Sequence, residues 1–158
     1  MNTSRIKPDT KKLYCILAEL ARTEEARRMR NYIQHGSVTT YEHCIRVAIV
    51  SYLINQKFRL GADVPSLVRG AFLHDFYLYD WHDRSRSDFQ RFHGFHHPAK
   101  ALANAERYYT LNDRERNIIR SHMWPLTITS VPCCREAVIV CIADKWCSTH
   151  ETLFHRKK

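Results

Sequence analysis

Residues 63–75, with the sequence DVPSLVRGAFLHD, form an apolar run that begins at a capping residue and ends on a histidine beside an aspartate. Asp63 is a favoured N-cap residue, and Pro65 suits the first turn of a helix. The apolar positions that follow recur at helical spacing: Leu67, Val68, Ala71 and Phe72. The pattern predicts a helix whose end carries two potential metal ligands, His74 and Asp75.

Similar signals predict helices on both sides of this run. Thr39 and Glu42 have the spacing of a capping box and open a helix that closes near Lys57, and Asn112 and Glu115 repeat the pattern before a helix that reaches His122. Further helices are predicted from Asp9 or Thr10 to Leu20, from Thr23 to about Gln34, from Pro98 to about Tyr109, and from about Cys134 to Leu153. Residues 76–96 lack a clear period and predict a long loop with short helical turns. The fold prediction is all-α: a single-domain helical bundle.

Composition agrees with one small helical domain. The chain has 158 residues, only 4 glycines and 5 prolines, and 44% apolar residues, which is enough to build a core without disulfides. The six cysteines include no C-x-x-C pair, so we interpret them as reduced core residues. No apolar stretch approaches a membrane span, and we expect a cytoplasmic protein. The net charge of +9 favours anionic partners, yet no nucleic-acid-binding module is recognisable.

Potential metal ligands fall on five successive predicted helices or helix ends. His43 lies in the first turn of one helix, and His74 and Asp75 end the next. The others are His97 beside Pro98, His122 near a helix end, and Asp144 within the last helix. Imidazole nitrogens and carboxylate oxygens together suit Fe, Mn, Co, Ni or Zn, so one or two divalent transition-metal ions are the expected cofactors.

The order H…HD…H…H…D resembles the HD superfamily of metal-dependent phosphohydrolases, and the surrounding segments are similar too. These segments are YEHCIRVA (residues 41–48), AFLHD (71–75), HPA (97–99) and ADK (143–145). The resemblance covers roughly residues 37–152 and implies a helical bundle of the HD-domain type. It also divides the chain into N-terminal helices over 1–36, the HD domain over 37–152 and a basic tail over 153–158.

The resemblance implies a metal bound by His43, His74, Asp75 and Asp144. Family members with histidines at the positions of His97 and His122 often hold a second metal, bridged by the aspartate of the HD pair. A bound metal lowers the pKa of its water from 15.7 toward ~7, and two metals ~3.5–4 Å apart suit an in-line phosphoryl displacement. Asp75 is then the catalytic residue. The basic candidates for contact with a small phosphorylated substrate, in particular a nucleotide, are Arg46, Lys145 and Lys100.

Two departures keep other functions open. The cyclic-dinucleotide branch of the superfamily carries a lysine soon after its HD pair, where this chain has Phe76 and Tyr77, and it has paired histidines where His122 stands alone. The chain therefore resembles a set of small, stand-alone bacterial HD proteins. A non-catalytic, regulatory metal-binding domain and a di-iron oxygenase are the alternatives, and a homo-oligomer is one option for its assembly. We expect His35, His150 and His155 at the surface, and His82, His93 and His96 either exposed to solvent or in loop packing.

Overall fold

The computed structural model describes residues 10–82 and 93–154, with the side chain of His93 left out. Over these residues the chain is a helical bundle with one two-stranded hairpin. The helices are α1 (Thr10–Leu20), α2 (Glu24–Arg28), α3 (Thr40–Phe58), α4 (Val64–Leu73), α5 (His93–Tyr108), α6 (Asp113–Ser121) and α7 (Arg135–Phe154). A 3-10 turn, Met29–Asn31, precedes strands β1 (Ile33–His35) and β2 (Val38–Thr39). The all-α prediction is confirmed.

The starts of α3 and α4 that their capping residues predicted are confirmed. The Thr39 hydroxyl accepts a hydrogen bond from the Glu42 backbone, and the Glu42 carboxylate accepts one from the Thr39 backbone, which completes the capping box of α3. Asp63 caps α4 through the backbone N–H of Ser66. Such local hydrogen bonds satisfy backbone donors that the helix itself leaves open. They therefore set where α3 and α4 begin.

Helices α3 and α4 form the centre of the bundle. Helix α3 packs against α4 and α7, while α4 also packs against α6 and α1. Helices α4 and α6 approach closely at Gly70, where an added Cβ would lie 2.4 Å from the Cδ1 atom of Ile118 on α6. The buried core includes Val47, Phe72 and Ile118. Because these helices pack closely, the ends of α4 and α6 lie next to each other inside the bundle.

The helix predicted from Thr23 to Gln34 is wrong in its second half. Helix α2 ends at Arg28, and an antiparallel hairpin replaces the predicted last turns, with Ile33 paired to Thr39. Gly36 takes a left-handed conformation (φ 60°) that a side-chain-bearing residue rarely adopts, and this conformation turns the hairpin. The hairpin buries Gln34, whose side chain reaches Asp75.

The prediction that Pro98 opens a helix is also wrong. Helix α5 begins at His93, so Gly94 and Phe95 lie within it and Pro98 is an interior residue of its second turn. Proline has no backbone N–H, so Pro98 removes one intrahelical hydrogen bond, the one to the Gly94 carbonyl. The loop that was predicted over residues 76–96 therefore ends before His93, where α5 begins. Its residues 83–92 lie outside the described residues.

Candidate metal centre

Six side chains from five helices or helix ends meet in one buried cluster. Helix α3 supplies one of them from its first turn, the ends of α4 and α6 supply three, and the second turn of α5 and the middle of α7 supply the rest. All six side chains are at least nine-tenths buried. They are His43, His74, Asp75, His97, His122 and Asp144. The capping box of α3 and the Asp63 cap of α4 orient the helices that deliver the first three.

One side of the cluster surrounds Asp75 Oδ2 and Asp144 Oδ1. His43 Nε2 lies 3.2 Å from Asp144 Oδ1 and 3.8 Å from Asp75 Oδ2. His74 Nε2 lies 3.4 Å from Asp75 Oδ2 and 3.7 Å from Asp144 Oδ1. Ligand atoms bound at ~2.0–2.2 Å to one cation are about 3–4 Å apart. These four distances are those of atoms that can share a coordination sphere, and His43, His74 and Asp75 form a group whose ligand atoms all lie within 4.8 Å of one another.

The other side of the cluster surrounds the second oxygen of the same carboxylate. His97 Nε2 lies 3.1 Å from Asp75 Oδ1, and His122 Nε2 lies 3.4 Å from it. The two imidazole Nε2 atoms are 2.7 Å apart. Asp75 thus stands between two groups of potential ligands, with one oxygen turned to each.

Hydrogen bonds on the outer side of three imidazoles assign their protons. His74 Nδ1 donates to the Ala71 carbonyl at 2.7 Å, and His122 Nδ1 donates to the Ile119 carbonyl at 2.8 Å. His43 Nδ1 lies 2.8 Å from the Glu151 carboxylate. Because carbonyl and carboxylate oxygens only accept, each Nδ1 carries a hydrogen and each neutral ring presents the Nε2 lone pair to the cluster. This is the tautomer that binds a metal through Nε2.

Unpaired buried atoms test whether these residues fit a cation. Within residues 10–82 and 93–154, His74 Nε2 and Asp75 Oδ1 are buried without a hydrogen-bond partner, since their contacts with neighbouring side chains lack hydrogen-bond geometry. A buried polar atom left unpaired costs about 1–3 kcal/mol. A cation that accepts both lone pairs removes that cost. The donor set of imidazole nitrogen and carboxylate oxygen therefore fits a divalent transition metal.

The protonation of the cluster follows from its own charges. Burial acts to lower the pKa of His43, but hydrogen bonds with Asp144 and Glu151 outweigh it and raise this pKa to about 9. Burial likewise opposes a protonated His74, yet the charge of Asp75 raises the pKa of His74 well above its ordinary value. Burial would raise the pKa of the Asp75 and Asp144 carboxyls, but the neighbouring imidazoles hold both well below the usual range. Both aspartates are therefore ionised at neutral pH.

A cavity of about 560 Å³ opens onto the cluster. Asp75, His97, His122 and Asp144 line its floor, and its wall is largely apolar. The wall and rim include Trp81, Met123, Pro125, Leu126 and Lys145. The volume lies within the ~300–1,000 Å³ typical of small-molecule sites. A ligand in this cavity can contact the cluster directly.

The three basic candidates occupy different surroundings. Arg46 is turned to α7, where its Nη1 atom lies 2.7 Å from Glu151 Oε1. Lys145 lines the cavity, and its ammonium donates to the backbone carbonyl of His122 at 3.1 Å. Lys100 is exposed on α5 and is not among the residues that line the cavity. Among the three, the structure brings Lys145 to the cavity.

Several side chains at the site were not foreseen from the sequence. Gln34 donates to Asp75 Oδ2 at 2.6 Å, and Ser148 donates to Asp144 Oδ1 at 3.1 Å. Glu151 contacts His43, as described above. His35, which we expected at the surface, is half-buried and lines the cavity. Only the spacing of Ser148 and Glu151, one and two turns beyond Asp144, could have indicated that they share its helix face.

The remaining histidines lie away from the cluster wherever their side chains are described. His82, His96 and His150 are exposed. The side chain of His93 and the whole of His155 lie outside the described residues. All six cysteines are free thiols, as expected of reduced residues, although Cys15 and Cys133 are exposed and do not belong to the core.

The helical bundle and the buried histidine–aspartate cluster at the floor of a cavity define a class: a helical protein with a candidate metal centre. Comparison with family models finds the HD domain over residues 40–147, which is most of the chain, and the chain therefore belongs to the HD-domain family. Members of this family are typically metal-dependent phosphohydrolases. Comparison with curated proteins and with solved structures gives no match.

Within the described residues, no helix is both long enough and apolar enough to cross a bilayer.

Proposed function

We propose that this protein is a metal-dependent phosphohydrolase that acts on a small phosphorylated metabolite, specifically a nucleotide. The observation that carries the proposal is the position of the buried cluster at the floor of the cavity. The proposed ligands of a first cation are His43, His74, Asp75 and Asp144. His97 and His122 are proposed to hold a second cation together with Asp75.

The chemistry follows from the two-sided position of Asp75. A divalent cation in such a site lowers the pKa of water and withdraws charge from a phosphoryl oxygen. Asp75 is held ionised, so its carboxylate accepts hydrogen bonds and orients the attacking water toward the phosphorus. Gln34 restrains this carboxylate through its contact with Oδ2. The rings of His97 and His122 lie on the cavity side and help to exclude bulk water from the reacting atoms.

The substrate class is argued from the cavity wall. Trp81 offers an aromatic face on which a nucleobase can stack, a contact that stabilises a base by about 1–3 kcal/mol, and Met123, Pro125 and Leu126 extend the apolar wall. Lys145 is proposed to contact the phosphate from the cavity rim. Arg46 is already engaged by Glu151, and Lys100 lies on the exposed side of α5. We therefore rank Lys145 first among the three proposed phosphate contacts.

The test combines elemental analysis of protein purified without chelators with a phosphate-release screen over nucleoside mono-, di- and triphosphates and sugar phosphates. We expect bound transition metal and metal-dependent release, with a preference for nucleotides. Asp75→Asn should reduce the rate by at least about 10³-fold, because it removes the charged group shared by both sides of the cluster. Asp113→Asn makes the same change at a fully exposed side chain and should leave the rate unaltered.

The same experiment separates the alternatives. Tight metal binding without phosphate release from any substrate class would contradict the hydrolase and favour a regulatory domain. Stoichiometric iron with oxygen consumption would favour an oxygenase. Phosphate release that survives Asp75→Asn would contradict the assigned site.

A further inference from the structure

Glu151 is a completely buried carboxylate that lies outside the residues matched by the family model. It projects from α7 two turns beyond Asp144 and makes two close contacts. Its Oε2 atom lies 2.8 Å from His43 Nδ1, and its Oε1 atom lies 2.7 Å from Arg46 Nη1. Both of its oxygens are therefore occupied, one by an imidazole of the cluster and one by a guanidinium.

We propose that Glu151 is a positioning residue for the metal centre, which fixes the tautomer and orientation of His43, and that Arg46 in turn holds Glu151. An ionised carboxylate can only accept, so it requires a hydrogen on His43 Nδ1 and leaves the Nε2 lone pair facing Asp144. Metal-binding histidines commonly use their second ring nitrogen in this way, and loss of such a partner typically weakens metal binding 10–100-fold. The inference rests on the metal-binding part of the proposed function and does not require hydrolysis.

The arrangement of side chains on α7 supports the positioning role of Glu151 in the cluster. Asp144, Ser148 and Glu151 follow one another at spacings of four and three residues, which places them on one face of the helix. Ser148 donates to Asp144 Oδ1, and Glu151 accepts from His43. One helix face thus supplies a proposed ligand, a hydrogen-bond donor to that ligand and an acceptor for a second ligand.

A competing explanation is that the Arg46–Glu151 ion pair only stabilises the packing of α3 against α7. Under that explanation, changes at Glu151 would alter stability and leave the chemistry of His43 untouched. The two explanations differ in what they predict for an amide at this position. An amide has one accepting oxygen and one donating NH₂ group, whereas both partners of Glu151 are donors.

Glu151→Gln therefore forces a choice between the two partners. The Arg46 guanidinium keeps its charge and attracts the amide oxygen, whereas the neutral His43 ring can carry its hydrogen on Nε2 and donate it to Asp144 Oδ1, 3.2 Å away. The amide oxygen therefore turns to Arg46, and the NH₂ group faces His43 Nδ1. The neutral ring must then carry its hydrogen on Nε2, where it blocks metal binding. Removing Arg46 releases the amide, whose oxygen can then accept from Nδ1. Arg46→Met should consequently rescue Glu151→Gln, which a purely structural tie does not predict.

The experiment measures zinc affinity by competition with a chelator and the ring tautomer of His43 by ¹⁵N NMR of the apo-protein. Both are recorded at an alkaline pH at which the ¹⁵N shifts of each variant show a neutral His43 ring, so that protons do not compete with zinc. We expect Glu151→Gln to bind zinc 10–100-fold more weakly and to shift the hydrogen to Nε2. The double variant Arg46→Met/Glu151→Gln should regain at least about tenfold in affinity and restore the Nδ1 hydrogen.

Glu136→Gln is the matched control, since Glu136 is another buried carboxylate of α7 and its Oε1 atom accepts from the Asp63 backbone at 2.7 Å. It should leave zinc affinity unaltered. If Glu151→Gln does not fold, the apolar pair Arg46→Met/Glu151→Met replaces it, because buried ion pairs often tolerate such exchange. This pair should also lose 10–100-fold in affinity.

The inference is overturned if Glu151→Gln keeps wild-type affinity and the Nδ1 hydrogen, or if the double variant binds as weakly as the single one. A wild-type protein that binds no zinc would contradict the metal-binding part of the proposed function. In that case the NMR measurement still tests separately whether Glu151 fixes the tautomer of His43, because the tautomer and its reversal are properties of the apo-protein.

Discussion

Raising the pH is expected to destabilise the chelator-treated apo-protein between pH 6.5 and 9. His43 has an ordinary pKa of 6.5, which the unfolded chain retains, and a pKa of about 9 in the folded cluster. A folded-state pKa above the unfolded value means that folding stabilises the protonated ring. The resulting stability is fully present below pH 6.5 and is lost as the pH rises through about 9.

The size of this effect follows from the pKa difference. At ~1.4 kcal/mol for each unit, a pKa of about 9 against 6.5 makes protonation of His43 worth about 3 kcal/mol of unfolding free energy. The pKa of His74 is also raised, so its contribution has the same sign. A divalent cation in the cluster takes the place of these protons. The metal-loaded protein should therefore lack most of the decline.

Urea unfolding at a series of pH values, with and without metal, measures the effect. His43→Gln is the control, because the neutral amide can contact the same neighbours but does not titrate. The difference between the apo wild type and this variant should fall by about 3 kcal/mol from pH 6.5 to 9. A flat difference would refute the reasoning, and so would an equal decline in the metal-loaded protein.

Two further substitutions test the packing and the support of the site. Gly70→Ala should lower the free energy of unfolding in urea by about 1–3 kcal/mol, because the added Cβ would meet Ile118 Cδ1 at 2.4 Å. A stability equal to or above that of the wild type would contradict the close helix contact. Gln34→Leu should weaken zinc binding about tenfold, because Asp75 Oδ2 loses its 2.6 Å donor. The exposed Gln56→Leu should have no effect, and equal affinities for both variants would exclude the support role.

The helical fold could be predicted because its start signals are local. The Thr39–Glu42 and Asn112–Glu115 capping boxes each lie within four residues, and the structure shows both pairs of reciprocal hydrogen bonds. The six side chains of the cluster were accessible in another way, because the order of the histidines and aspartates resembles that of the HD superfamily. Local sequence therefore sufficed for most helix starts, and the resemblance singled out the side chains that the structure brings together.

The hairpin before α3 could not be predicted, because the interactions that stabilise it are tertiary. Residues 29–34 have no strand alternation, and the hairpin is fixed by contacts with distant residues. Tyr77 and Asp75, both after α4, contact the Gln34 side chain, and Thr40 Oγ1 lies 3.3 Å from Gln34 Oε1. A helix through Gln34 would satisfy local propensity but would deprive Asp75 of this partner.

The side chains that support the site could not be predicted for the same reason, because their contacts are also tertiary. Glu151 is 108 residues from His43 in the sequence, and Gln34 is 41 residues from Asp75. A glutamate near the end of a predicted helix is ordinarily a solvated residue, and only the spacing of Glu151 from Asp144 indicates that the two share a helix face. Its role becomes visible only when the helix packing brings α7 across the first turn of α3.

Charge balance connects the protonation of the cluster with its capacity for a cation. Two carboxylates, Asp75 and Asp144, are buried and ionised, and two imidazoles, His43 and His74, have raised pKa values that keep them protonated at neutral pH. Glu151 lies outside this balance because Arg46 neutralises it. The cluster therefore offers two negative charges, which two protons or one divalent cation can match. Binding of a first cation at the proposed site would then be an exchange for two protons that leaves the buried charge unaltered, so low pH should oppose it. A second cation beside His97 and His122 has no such compensation from these residues, so an anionic phosphate in the cavity is the group that would balance it.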